Sequence, residues 1–150
     1  MKKIVILTAI LMISLGAFAQ IEQPVKWSYA AKKTSVTEAT VFLKATIQPG
    51  WHIYSLNVKK DGPIKTSFTF EKSKDYSLIG KTTAPMPIIK YDNQFAMNIG
   101  FFEKEVIFQQ KIKLNSANAA AVKGKLNYMT CNDKKCLPPE DVDFTIPLSK

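Results

Sequence analysis

The sequence predicts an all-β chain folded as a β-sandwich, and three observations carry that reading. Apolar and polar residues alternate with period two in segment after segment. Turn-forming clusters such as Gln48-Pro49-Gly50 and Lys60-Asp61-Gly62-Pro63 separate those segments. No stretch after residue 19 carries the 3.6-residue periodicity of an amphipathic helix. Several short strands, each with one wet face, favour a sandwich over an α/β fold.

In chain order, Val41, Leu43, Ala45 and Ile47 share one face of a strand that ends at Gln48-Pro49-Gly50. Ile53 to Val58 forms a second strand before the turn at Lys60. Phe68 and Phe70 alternate with Thr69, and Tyr76 to Ile79 is a short apolar run closed by Gly80. Thr82 to Pro87 holds two prolines, which cannot donate to a ladder, and reads as irregular or as a sheet edge. Glu105 to Leu114 is the clearest long strand, with Val106, Phe108, Ile112 and Leu114 inward and Lys111 and Lys113 outward. Asn115 to Ala121 reads as a loop or one short helix. Val122 to Thr130 alternates again, with Leu126 and Tyr128 inward, and Val142, Phe144, Ile146 and Leu148 close the pattern.

The first nineteen residues stand apart. Lys2 and Lys3 precede an apolar run from Ile4 to Leu15, and Ala17-Phe18-Ala19 supplies a small-x-small cleavage pattern. Residues 1–19 are therefore expected to be a signal peptide cut before Gln20, leaving 20–150 as one exported domain. The apolar run is short for a spanning helix, and no later segment is long and apolar enough to cross a bilayer.

The formal charge of +9 falls to +7 once Lys2 and Lys3 are removed. All 21 basic residues are lysine, and no run exceeds two. Arginine supplies the bidentate contacts that phosphates and bases favour, so this scattered lysine surface argues against nucleic-acid binding.

The chain holds two cysteines, Cys131 and Cys136, in YMTCNDKKCLPP. Outside the cytoplasm such a pair tends to oxidise. Asn132 to Lys135 would connect a strand ending at Cys131 to a return at Cys136, and Pro138 and Pro139 would interrupt the returning strand until about Asp141. Local sequence leaves two readings open. A structural staple closing so short a loop gains only ~2 kcal/mol in the chain-entropy account; a dithiol for thiol–disulfide exchange benefits from the same short loop. A zinc site is the weaker option, because two thiolates are half a shell and the only histidine, His52, is far away in sequence. A Cys–His nucleophile meets the same obstacle. Lys134 and Lys135 favour a thiolate and Asp133 opposes it. Trp51, His52 and Tyr54 read first as packing residues, as do Met86, Met97 and Met129.

Three blocks together, GWHIYS at 50–55, Asn93-Gln94-Phe95 followed by EKEVIFQQKIKL at 103–114, and YMTCNDKKCLPP at 128–139, resemble the amino-terminal periplasmic domain of DsbD, the transmembrane thiol:disulfide interchange protein. The resemblance implies an immunoglobulin-like β-sandwich with its redox cysteines on a hairpin. It implies a periplasmic module with no organic cofactor and no metal. Such a module passes reducing equivalents from a membrane thiol electron donor to thioredoxin-fold partners, among them disulfide isomerases and cytochrome c maturation factors. By the same resemblance Cys136 forms the mixed disulfide with the partner and Cys131 resolves it. Phe95 becomes the ring of a cap over the sulfurs, with Asp92 to Met97 as the cap loop. Two departures stand out: Asn93 and Gln94 occupy positions where better-known members carry an acidic pair, leaving Asp92 as the nearby carboxylate, and the cysteine spacing is one residue shorter. The membrane and terminal thioredoxin-like domains of the full-length protein have no counterpart in these residues, so the donor is expected to be a separate protein.

Overall fold

A computed structural model describes residues 22–116 and 119–148. The expected signal peptide and its cleavage point before Gln20 lie outside the described residues. Eleven strands form three antiparallel sheets among the described residues. Four of them, β1 (Val25–Lys33), β2 (Glu38–Ile47), β8 (Glu105–Leu114) and β5 (Tyr76–Thr83), make one sheet in the order β1-β2-β8-β5. A second sheet runs β10 (Thr130–Asn132), β3 (Trp51–Tyr54), β7 (Met97–Phe102) and β6 (Ile88–Asp92). The third places β9 (Ala121–Tyr128) between β11 (Glu140–Pro147) and β4 (Ser67–Phe70). No helix of the described residues is long and apolar enough to cross a membrane.

The alternation in the sequence becomes the core. Val41, Leu43 and Ala45 of β2 share the inner face of the first sheet with Val106, Phe108 and Ile112 of the adjacent β8, all buried, and the cluster extends through Ile53 and Phe102 to Leu126 and Ile146 of the third sheet. Trp27 of β1 closes one side, its ring 5.5 Å from Tyr128 and 6.0 Å from Phe108. The polar member of the β8 inner face is Gln110, which is 1% exposed. Its amide nitrogen donates to the carbonyls of Ile79 (3.0 Å) and Lys111 (2.8 Å), and its oxygen accepts from the Thr82 hydroxyl (2.9 Å). Gln110 thereby satisfies backbone freed where the β5–β8 register shifts between Ile79 and Thr83.

Three expected segments take different bounds, the first being Tyr76 to Ile79, which is not closed by Gly80 but continues past it, through the register shift, as β5 to Thr83. The segment Ile53 to Val58 is replaced by β3, Trp51–Tyr54. The Ser55 N–H still donates to the Gly100 carbonyl (2.9 Å), and beyond it the Ser55 hydroxyl donates to the Asn57 carbonyl (2.9 Å) where the chain bends. The continuous strand Val122 to Thr130 is instead divided at Met129: β9 pairs with β11 and β4, whereas β10 pairs with β3. That change of sheet carries Cys131 out of the third sheet and into the second. Among the described residues of 115–121, no helix forms.

Candidate functional site

The second sheet has two differently used faces. Strand alternation turns Ile53 and Phe102 toward the main core. The same alternation turns Tyr54, Phe101 and Cys131 to the opposite face, where Ile99 completes a second buried cluster. Phe95, Met97, Met129 and Cys136 pack around its rim. The cysteines therefore lie on a small apolar platform of their own, outside the main core.

Cys131 sits opposite His52 in the β10–β3 register and is fully buried. It is disulfide-bonded to Cys136, with Cα atoms 4.0 Å apart, and the two residues face each other as an isolated antiparallel bridge. Asn132 organises the intervening turn. Its side-chain oxygen accepts from the backbone N–H of Lys134 and of Lys135 (both 2.9 Å), while its own N–H donates to the Lys135 carbonyl (2.9 Å). This is the local hydrogen bonding for which asparagine is suited in turns. The Leu137 N–H donates to the Thr130 carbonyl (2.9 Å), and the Thr130 hydroxyl donates to the His52 carbonyl (2.9 Å). Lys135 also forms an ion pair with Glu22. The geometry leaves Cys136 half-buried, so the two sulfurs differ in access.

The loop joining β6 to β7 lies over this turn. Asp92, at the end of β6, accepts from the N–H of Gln94 (2.8 Å) and of Phe95 (3.2 Å) through one oxygen and from the Tyr54 hydroxyl (3.2 Å) through the other. Ala96 completes the reversal with a φ of 52°. Phe95 packs edge-on against Tyr54, with ring centroids 6.0 Å apart and planes at 85°. Gln94 spans the gap to the cysteine turn: its amide nitrogen donates to the Asn132 carbonyl (3.2 Å), and its Oε1 lies 3.1 Å from Cys136 Sγ. Asn93 is exposed at the tip and lines a cleft of about 240 Å³ together with His52, Glu103 and Asp133. Cys131, Cys136, Asp92, Gln94 and Phe95 are thus brought together, with Asn93 at the margin.

His52 belongs to this site as well. Its ring lies 4.8 Å from Phe101 and 5.2 Å from Tyr54, and its Nε2 is buried without a hydrogen-bond partner among the described residues. Burial lowers its pKa below the ordinary 6.5, against the opposing pull of Asp92, Glu103 and Asp133. Burial, then the Asp92 carboxylate, raises the Tyr54 phenol well above its usual range, so Tyr54 stays a neutral donor. Reading Trp51, His52 and Tyr54 as one packing group missed this division. The alternation in WHIY carried the signal, since it sets His52 and Tyr54 on the face opposite Ile53. Among the described residues no group of three His, Cys, Asp or Glu side chains is arranged to hold a metal ion.

The fold and site thus define an all-β domain in which one cysteine of a disulfide is fully buried and the other half-buried beneath the β6–β7 hairpin tip. The chain belongs to the family described as thiol:disulfide interchange protein DsbD, N-terminal, which matches residues 20–147. Solved structures similar to it include the reduced DsbD N-terminal domain of Neisseria meningitidis, at 18% identity and a TM-score of 0.52 over 78% of this chain and 82% of that one. The N-terminal periplasmic domain of ScsB from Proteus mirabilis gives 20% identity and a TM-score of 0.57 over 85% of this chain. This chain covers 49% of the ScsB structure, about half its length. A structure of the complex between the DsbD and PilB N-terminal domains of Neisseria meningitidis gives 16% identity and a TM-score of 0.54, covering 86% of this chain and 88% of that one. At these identities the likeness is one of fold. No curated protein sequence matches the chain.

Proposed function

We propose that residues 20–150 form an exported, periplasmic thiol:disulfide interchange module of immunoglobulin-like β-sandwich fold, with Cys131 and Cys136 as its redox pair on a hairpin. The observation that carries this reading is the asymmetry of the pair: Cys131 is fully buried, whereas Cys136 is half-buried beneath the β6–β7 loop. Membership of the DsbD N-terminal family supports it. Thiol exchange requires an accessible attacking sulfur and a nearby resolving one, which matches this arrangement.

In the reducing direction, the Cys136 thiolate attacks one sulfur of a partner disulfide, forming a mixed disulfide and releasing the partner's other sulfur as a thiolate. Deprotonated Cys131 then attacks Cys136 Sγ. The Cys131–Cys136 bond forms, the mixed disulfide breaks, and the partner leaves with both sulfurs reduced. Two electrons pass to the partner, and the two protons given up by the cysteines balance those taken up by its thiols. Regeneration requires a thiol donor, for which we propose a separate membrane protein; the acceptors are thioredoxin-fold proteins. In Neisseria meningitidis a DsbD N-terminal domain is found in complex with a PilB N-terminal domain, a precedent for docking of such a module on a second protein.

In this mechanism Phe95, with Asp92, Asn93 and Gln94, forms the cap. The apolar ring shields the sulfurs from small thiols until a partner displaces it. The test is the equilibrium reduction potential of Cys131–Cys136 in glutathione buffers. A value among those of exchange-active pairs, about −120 to −270 mV, is expected. A value well below about −300 mV, that of an inert structural disulfide, would contradict the proposal.

A further inference from the structure

We infer that Gln94 is a latch that holds the cap closed over the protonated thiol of Cys136 and lets go when that proton leaves. The inference rests on reading Cys131 and Cys136 as a dithiol that is reduced for part of its cycle. It starts from two contacts made by one amide, Nε2 to the Asn132 carbonyl at 3.2 Å and Oε1 to Cys136 Sγ at 3.1 Å.

A primary amide donates through nitrogen and accepts through oxygen. In the disulfide, Cys136 carries no proton, so Oε1 meets the sulfur without a hydrogen bond and only the bond to Asn132 holds Gln94. In the dithiol, Cys136 regains an S–H that can donate to Oε1, which the oxidised pair already holds 3.1 Å from the sulfur, and both ends of the amide are then satisfied. In the thiolate, Oε1 faces an anion. Rotating the amide by half a turn lets Nε2 donate to sulfur, but it also turns Oε1 toward the Asn132 carbonyl, another acceptor. One of the two contacts is then repulsive in either orientation. Closure is strongest over the neutral thiol.

Linkage makes this reciprocal: a closed cap raises the proton affinity of Cys136, and lifting the cap lowers it. When a partner displaces the loop, the S–H bond breaks, its proton passes to water and the electron pair stays on sulfur as the attacking thiolate. The charged and titratable groups around the turn are Asp92 from the cap, Lys90 and Tyr91 of β6, His52 and Tyr54 of β3, Glu103 after β7, and Asp133, Lys134 and Lys135 with Glu22. None of these changes when Gln94 alone is substituted.

The experiment follows iodoacetamide alkylation of Cys136 against pH in the full chain carrying Cys131→Ala, with and without Gln94→Leu. Gln94 is exposed at a loop tip, so the leucine leaves the core untouched. Loss of one net hydrogen bond predicts a titration midpoint lower by about 0.4 to 1 pH unit and alkylation near neutral pH faster by about two- to tenfold. A second variant, Gln94→Glu, keeps the acceptor, loses the donor and adds a negative charge, so its midpoint should rise. An unchanged midpoint with leucine, even with uniformly faster alkylation, would make Gln94 a steric cover and overturn the latch. So would a glutamate midpoint that stays or falls. Iodoacetamide requires no protein partner. Shifted midpoints in a chain that exchanges with no thioredoxin-fold protein would therefore keep the latch and remove the redox module, and the opposite combination would do the reverse.

Discussion

Truncating the cap ring, Phe95→Ala, should expose the disulfide to small thiols by an amount that follows from the contacts holding the loop. Three local attachments keep it closed: the Phe95–Tyr54 ring pair at 6.0 Å, the Gln94–Asn132 hydrogen bond, and the bonds that Asp92 makes to Tyr54 and to two loop N–H groups. The substitution removes only the first. An edge-on aromatic pair contributes about 0.5 to 1.5 kcal/mol, and losing the half-buried ring's remaining contacts brings the total to about 1 to 2 kcal/mol. If reduction proceeds from the open loop, the open population and the rate rise roughly five- to thirtyfold. The assay is the second-order rate of disulfide reduction by dithiothreitol, read by thiol labelling, with circular dichroism and the thermal midpoint as controls on the fold. A rate within about twofold of the parent, with those controls unchanged, would refute shielding by Phe95.

The remaining predictions test the scaffold and the charge state of the site. A Cβ at Gly124 would lie 2.3 Å from the Thr69 carbonyl oxygen and 2.5 Å from the Phe144 ring, so Gly124→Ala should cost about 1 to 3 kcal/mol, read as a lower urea midpoint. Gln110→Leu strands the Ile79 and Lys111 carbonyls and should destabilise by about 1 to 3 kcal/mol in the same assay; an unchanged midpoint would deny the amide its role at the register shift. His52 has a lowered folded pKa, so the unfolded chain binds its proton first as pH falls below 6.5. Stability contributed by the neutral ring is therefore present above that pH and is lost on acidification through the window below it. The loss of stability between pH ~7.5 and ~5.5 should be smaller in His52→Gln than in the parent, and an equal loss would contradict a neutral buried ring.

Strands with one buried and one wet face were legible because burial writes itself as alternation: β8 reads Val106, Phe108, Ile112 and Leu114 inward, and β11 reads Phe144 and Ile146 inward. Two of the strands that escaped show that contrast weakly. In the edge strand β6, Ile88, Ile89 and Tyr91 are all exposed, so no period distinguishes one face from the other. In β1 the inward Trp27, Tyr29 and Ala31 are only half-buried. The break at Met129 leaves no mark either, because alternation continues through it while the hydrogen-bonding partner changes from β4 and β11 to β3.

The cysteine pair and the segment 92–97 proposed as its cap could be picked out from motif blocks, since each is contiguous in sequence. The contacts between them were not legible. Gln94 meets Asn132 and Cys136 across 38 and 42 residues, a meeting fixed by the β6–β7 register and by transfer of β10 to the second sheet. His52 lay between these cases: its spacing from Tyr54 gave its face, but only the pairing of β3 with β10 set it opposite Cys131.

The most direct test of an exchange-active Cys136 is capture. The Cys131→Ala chain, mixed with the oxidised form of a thioredoxin-fold protein whose resolving cysteine is removed and whose remaining thiol is activated as a mixed disulfide, should form a 1:1 disulfide-linked complex through Cys136. Dithiothreitol should dissolve the complex, and the reciprocal Cys136→Ala chain should form it far more slowly because Cys131 is buried. No complex with Cys131→Ala, or equal capture by both variants, would contradict the account.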